Sequence, residues 1–454
     1  MLTAPKAMRW QHRYATDYYC GHKGKRIQVK SRARNPAINQ VDVESATRLR
    51  LSRDVPLRRL AAKRTKMGVI LRSRNSRRSI IAVISTMAIL VVGDSMAGSH
   101  GPPVAASGPL LKLAEAQFAG LTPAEVSLLA HSDLQSREVD DFAAGGTSAD
   151  PSDSSNDPTG ADKWPHDRSV RAELIRWMCV DPRAVALIDP RGIRLTGARI
   201  EGKLDLSHVR TPFGIAPVRC SIPEILDLTS ADVATLDLNG SRTNRINAEQ
   251  LHVRGEADFG WDNHWWGTPF EPAGELDLSS SRIDGSAVFG TGVFHASKNP
   301  AYTLSPEAAI DLSESTIGSD VALCCGMVAH GMVDLDRVNV SGSIELSGAH
   351  FENAGAVAVT GISAKAGHDI YLTDLPVYGD FQAEGLVQFP AARAGGLFWV
   401  NHAHFKGSDG SPNGLSLGSA SMRILSWQQV ELQKNAKLDL GWASVDTIVD
   451  DEQS

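Results

Sequence analysis

Residues 310–346 read IDLSESTIGSDVALCCGMVAHGMVDLDRVNVSGSIEL, and an apolar–polar–apolar triplet returns four times in them. The triplets are Ile310-Asp311-Leu312, Val321-Ala322-Leu323, Val333-Asp334-Leu335 and Ile344-Glu345-Leu346. Carried on to Val357-Ala358-Val359 and Ile370-Tyr371-Leu372, the series advances in steps of 11, 12, 11, 13 and 13 residues. Between triplets lie turn-forming spacers such as Ser341-Gly342-Ser343. Strands of three residues that alternate in, out, in cannot build a helix bundle and are too short for a self-sufficient sandwich. Stacked coils solve the problem: each strand pairs with its equivalents one rung above and below, and the inward side chains form continuous apolar ladders.

Working outward, the same triplet occurs at Ile193-Arg194-Leu195, Leu204-Asp205-Leu206, Leu226-Asp227-Leu228, Leu236-Asp237-Leu238, Ala257-Asp258-Phe259, Leu276-Asp277-Leu278 and Leu438-Asp439-Leu440. Two half-repeats of about 11 residues make a coil of about 22 that rises by the interstrand spacing of about 4.8 Å. The expected architecture is an all-β, right-handed parallel β-helix over 191–445 of roughly eleven coils, since parallel crossovers turn right-handed in nearly all cases. Residues 446–454 form a tail.

The chain before residue 191 is of a different kind. Residues 167–190 carry Val170, Leu174, Trp177 and Met178 at helical spacing, which predicts a short helix capping the first coil. Residues 146–166 read as a flexible linker, and 98–145 as a helical segment with stretches at Pro109 to Phe118 and from Thr122, where Thr122 caps and Pro123 opens the first turn. Residues 67–97 read as a signal peptide or signal anchor: arginines through Arg77 and Arg78, an apolar run Ile80 to Val92, then Ser95-Met96-Ala97. That run is short of the ~20 residues needed to span hydrocarbon, so cleavage is expected over permanent anchoring. Residues 1–66 are either a disordered basic arm or an extension preceding a true start at Met67.

Charge divides the chain in the same place. Residues 1–78 hold 21 Lys and Arg against 4 Asp and Glu, whereas the remainder holds 25 against 48. The expected destination is export to the periplasm, cell surface or medium, with Ile80–Val92 a possible membrane tether and nucleic acid not a partner of the acidic body.

Finer periodicity appears at Ala231, Val233, Leu236, Leu238, Thr243, Ala248 and Val253, spaced by fives. Together with the run from Gly192 to Leu206 and Arg171 to Trp177, this resembles bacterial pentapeptide-repeat-like β-helix proteins of uncharacterised role, some labelled membrane-associated oxidoreductases. The resemblance covers about 167–454 and implies the fold without any functional residue. No phosphate-cradling glycine loop and no cofactor-ligand cluster is present, so no cofactor is expected.

Three features could carry chemistry. The acidic series Asp205, Asp227, Asp237, Asp277, Asp311, Asp334, Glu345 and Asp439 should point outward as stacked carboxylates, either a solvated face or a place for Ca²⁺ or a basic partner. The insertion 260–274 holds Trp261, Asp262, His264, Trp265, Trp266 and Phe270. Flat indole faces suit sugar rings or an apolar partner, and Asp262 with His264 would make an acid/base pair; alternatively the loop buries its own tryptophans. Third, His402 and His404 share one strand face beside Trp399, with Trp427 and Trp442 further on, and lack an evident third metal ligand. Cys179, Cys220, Cys324 and Cys325 are expected as buried thiols, because adjacent cysteines seldom bridge.

Two functions follow. The first is a non-enzymatic binding or structural module of the bacterial cell envelope, addressed to a protein or glycan. The alternative is a polysaccharide lyase or hydrolase of β-helix type.

Overall fold

The computed structural model describes residues 108–136, 143–144, 153–260, 268–297, 308–407, 414–433 and 435–451, all within the compact unit Ser95–Ser454. The leader Ile80–Val92 and the tryptophan cluster at 261–266 lie outside the described residues.

The triplets stack as the periodicity demands. From residue 169 to 450 the chain is a parallel β-solenoid; among the described residues its strands, with Ala143–Ala144 added to the largest set, gather into faces of nineteen, fourteen and five strands. On the fourteen-strand face, which we call the second face, one inward column runs in register through Leu204, Leu226, Ile246, Leu276, Ile310, Val333, Val359, Val387, Leu415 and Leu438. A matching column on the long face runs through Leu236, Ala257, Ala287, Val321, Ile344, Ile370, Phe398 and Leu425. From Ile310 to Ile370 successive triplets alternate between the two faces, so the half-repeat there is one face and its crossover. Between Leu226 and Ile246 a coil closes in twenty residues with four two-residue strands, and Ala231, Val233, Leu236, Leu238 and Thr243 are all buried.

Corners close by a repeated device. In each of five rungs of the second face the outward residue accepts, through its side chain, the backbone N–H two residues on. Asp205 takes the amide of Ser207, Asp227 that of Thr229, Asp277 that of Ser279, Asp311 that of Ser313 and Asp334 that of Asp336. The next residue turns left-handed: His208, Ser230, Ser280, Glu314 and Arg337 have φ between 54° and 60°. A non-glycine residue there costs about 1–2 kcal/mol, and the Asx turn that precedes it offsets part of that cost. Inside the corners, buried hydroxyls finish the hydrogen bonding: Ser281 donates to Ala248 O and accepts from Leu251 N, and Ser315 repeats the pattern one rung on.

One end of the column is closed. Helices α1 (Pro109–Glu115), α2 (Pro123–Ser132), α3 (Ala172–Val180) and α4 (Pro182–Val185) send Leu110, Leu111, Leu128, Leu129, Leu174, Met178 and Ala184 into the same apolar core as Leu204 and Leu226. Helix α2 opens with the expected capping box of Thr122 and Glu125. Glu125 is fully buried and tied to Arg171: its two oxygens accept the Arg171 backbone and guanidinium N–H groups at 2.7–3.0 Å. Burial by itself would raise the Glu125 pKa, but Arg171 and the Thr122 amide hold it below the usual value.

Five expectations are corrected. Residues 446–450, expected to begin a tail, continue the solenoid on the strand Ser444–Asp450, which pairs with Ser421–Gln428. Residues 153–168, expected as linker and helix start, form three 3-10 turns, because buried Arg168 bonds Asn156 Oδ1 and Gly197 O and so pins the segment to the first coils. Val170 lies on the strand Ser169–Arg171, paired with Arg199–Glu201, rather than on the helix. The triplet at Val357 is displaced by an irregularity, so Val359 and Thr360 take the ladder places. Cys324 and Cys325 are joined as a disulfide, Cys325 being the left-handed residue of its corner, while Cys179 and Cys220 are buried thiols.

Leu312 is fully buried in the column. Leu312→Ala should cost about 2–5 kcal/mol in denaturant unfolding followed by β-type circular dichroism. Arg171→Ala should cost about 3–5 kcal/mol, because it strands the buried Glu125 carboxylate; Arg171→Ala with Glu125→Gln should recover part of that loss.

Candidate functional site

The expected acidic series does not form one stack. Asp237 and Glu345 lie on the long face and the others on the second, where Asn247 and Thr360 interrupt the column. Within the series, only Asp205–Asp227 and Asp277–Asp311–Asp334 are rung neighbours. The turn amides account for most of these carboxylates, so their chief work is local. Burial raises the pKa of Asp311, and raises that of Asp334 to about 6, with the neighbouring carboxylates adding to it. Beside them Glu275, almost fully buried, is pushed to about 7 by burial against the opposing pull of Arg245, 3.3 Å away. No group of three metal-ligating side chains occurs among the described residues.

Of the tryptophan loop the structure places only the flanks. Phe270 is fully buried, packed on Phe259 and Phe294, with Phe259 stacked on Phe289 at 5.3 Å. It belongs to the interior column rather than to a binding surface.

The described residues that best resemble a site lie on the outward side of the long face. Glu345, Tyr371 and Trp399 are consecutive rungs of one ladder, and the Tyr371 and Trp399 rings sit 6.0 Å apart at a tilt of 54°. The Tyr371 hydroxyl donates to Asp369 Oδ2 at 2.8 Å. Asp369 Oδ1 accepts the Leu397 amide and Asp320 Oδ1 the Ser343 amide, so both carboxylates are fixed in place. Burial pushes Glu345 up to about 7, with Asp320 contributing, and burial together with Asp369 pushes Tyr371 well above its usual range. The Trp399 indole N–H is buried without an acceptor. Two half-buried rings flanked by fixed carboxylates and one proton-bearing acid make a strip that can stack against a flat apolar face and hydrogen-bond hydroxyls around it.

Around the next corner the two histidines separate. His404 sits between Asp380 (Nε2 to Oδ2, 2.8 Å) and Glu431 (Nδ1 to Oε2, 3.0 Å), whereas His402 turns left-handed and faces Asp374 at 3.3 Å. They do not converge as a ligand pair; together they tie down the two ends of the segment 374–380. A shallow cleft at the capped end, lined by Arg171, Arg176 and Lys203, offers little free charge, since these cations already pair with Glu125, Asp205 and Asp227.

Glu345 and Trp399 were visible in the sequence as separate features; Tyr371, Asp369, Asp320, Asp380 and Glu431 were not singled out. Tyr371 could have been found by aligning Glu345, Tyr371 and Trp399 as outward members of successive triplets, although in Phe398-Trp399-Val400 all three residues are apolar or aromatic and the alternation is hidden.

No protein-family profile, characterised protein or solved structure matches this chain.

Because Glu345, Glu275 and Asp334 bind a proton more tightly folded than unfolded, they favour the folded state fully below the unfolded carboxyl range, near 4.5 for glutamate. That contribution is lost as pH rises from there toward about 7. Glu345→Gln should therefore raise stability at pH 8 by on the order of 2 kcal/mol and leave it nearly unchanged at pH 4, as read from paired denaturant titrations. An equal effect at both pH values would show that burial does not hold the proton on Glu345.

Proposed function

We propose that this solenoid is a non-enzymatic glycan-binding module of the bacterial cell envelope. The observation that carries the reading is the outward ladder Glu345–Tyr371–Trp399 with Asp369 and Asp320 beside it. Its rungs advance by about 4.8 Å, close to the length of a pyranose ring, so successive rungs can address successive sugars of one strand. Aromatic faces take the apolar side of a ring, and oriented carboxylates take its hydroxyls. The arginine-led apolar run Ile80–Val92 supports an exported destination. Among the described residues no helix is long and apolar enough to cross a membrane. Trp261, Asp262, His264, Trp265 and Trp266 extend the reading as a second contact loop, inserted in the sequence between the strands Ala257–Asp258 and Glu271–Pro272 of one coil.

A polysaccharide-acting enzyme is the second reading, favoured by one observation: Glu345 holds its proton to about pH 7, as a general acid must. The two readings part in one experiment. Soluble fragments of envelope polysaccharide incubated with the full chain should bind reversibly and be recovered at unchanged length. Trp399→Ala should weaken binding at least tenfold, about 1.4 kcal/mol, with the circular dichroism unchanged. Shortened fragments that disappear with Glu345→Gln would establish the enzyme instead. Joint replacement of Trp261, Trp265 and Trp266 by Ala should leave the fold intact and weaken glycan binding further; unfolding at room temperature would assign them to the core.

A further inference from the structure

The two ends of the solenoid differ. The first coil is covered by α1 to α4, while the last described coil carries no such cover among the described residues. Its inward residues are the direct continuation of the buried columns, yet Leu432 is 39 % and Ile448 57 % exposed, and Trp442 beside them is 95 % exposed. Leu438, Leu440 and Val445 are only partly buried, although Leu415, Leu417 and Met422, their equivalents one rung below, are buried. Among the described residues the three strands of this coil, Glu431–Gln433, Lys437–Asp439 and Ser444–Asp450, each pair on one side alone, with the preceding rung. Solenoids keep their ends soluble and unpaired with polar caps, and an apolar coil with open strand edges is a pairing surface.

We infer that this open end is an interface with a second copy of the same chain, formed where Lys437–Asp439 pairs antiparallel with its own counterpart about a two-fold axis through Leu438. The register supports one occupant over others. The Asp439 carbonyl accepts from Leu417 N at 2.8 Å, so residues 437 and 439 direct their backbone groups to the rung below. Alternation along the strand then leaves the Leu438 N–H and C=O directed at the open side. About a two-fold axis at Leu438 these two groups meet their own copies, making a hydrogen-bonded pair. In the same register exposed Lys437 stands opposite Asp439 of the second copy, and Asp439 opposite its Lys437, so both pairs are charge-complementary. Leu438 meets its equivalent and Leu440 faces Ala436 of the second copy, all three partly buried, so that the apolar column closes. Head-to-tail stacking is blocked, because the opposite end is covered by helices, so the contact closes as a dimer instead of growing into a fibre. Asp446 and Asp450 on the neighbouring edge strand repel across the same end, and one coil's end face is small, so the association belongs in the micromolar range.

The test is sedimentation velocity of the full chain from about 1 to 100 µM, with circular dichroism to confirm that each variant is folded. The wild type should pass from monomer to dimer. Lys437→Glu and Asp439→Lys should each abolish the dimer, because each sets like charges against each other in both cross-strand pairs. An equimolar mixture of the two should restore it: the introduced glutamate of one variant then faces the introduced lysine of the other, and the unchanged Asp439 of the first faces the unchanged Lys437 of the second. Leu438→Cys adds a readout independent of charge: in a hydrogen-bonded antiparallel pair the Cα atoms lie about 5.5 Å apart, within disulfide reach. Oxidation should therefore give a covalent dimer that the wild type does not form. A wild type that stays monomeric throughout, assemblies larger than dimers, dimers that persist in both charge variants, or folded variants that fail to recombine would each overturn the inference.

Discussion

In-register stacking of inward apolar side chains is the constraint on which everything else in this molecule rests. Strands of two or three residues have almost no stability alone, so each rung exists because the rungs above and below cover its leucines and valines. The backbone must then turn sharply several times per coil. It does so at left-handed residues that are mostly not glycine, held by an Asx turn from the outward aspartate before them. The aspartates that make the repeat conspicuous are thus structural corner pieces. Their acidity on the surface follows from that use.

The same constraint explains how the solenoid accommodates variety. The step between equivalent rungs is twenty residues from Leu226 to Ile246 and thirty-four from Leu276 to Ile310, yet both pairs remain in register. The extra chain is accommodated without altering the column. Function can therefore sit either in such insertions or on outward ladder positions, which the core does not specify. The glycan-binding reading uses both: the Trp-bearing insertion at 261–266 and the ladder of Glu345, Tyr371 and Trp399. The two ends are where the constraint must be released. Buried Glu125, gripped by Arg171, helps anchor the cover at one end, and the other presents Leu438 and Ile448 for pairing with a second copy.

The primary structure made the repeat legible wherever an acidic residue separated two apolar ones. Where Asn247, Val288, Thr360, Gln388, Trp399 or Ser416 occupies the outward position the rung is equally regular but went unread. The turn chemistry that aspartate supplies is the strongest signal; without it a rung such as Ile193-Arg194-Leu195 or Ile370-Tyr371-Leu372 is read only from its spacing, and the others resemble any short hydrophobic run. The candidate site suffered more from the same cause, since Tyr371 and Trp399 are 28 residues apart in the chain and meet only because the rungs coincide.

By itself, then, the amino-acid order determined the period, the inward and outward sides of each strand, the capping box of α2 and the contrast between basic arm and acidic body. These are local matters, set by alternation along a strand, by turn propensity and by charge. Only the tertiary structure decided which triplets share a face, that Asp277, Asp311 and Asp334 crowd while Asp237 stands apart, that Arg171 is spent on Glu125, and that Cys324 and Cys325 bridge. Each of those depends on the length of chain between rungs. A change of one or two residues in a corner moves a side chain to a different neighbour without disturbing the periodic pattern that announces the fold.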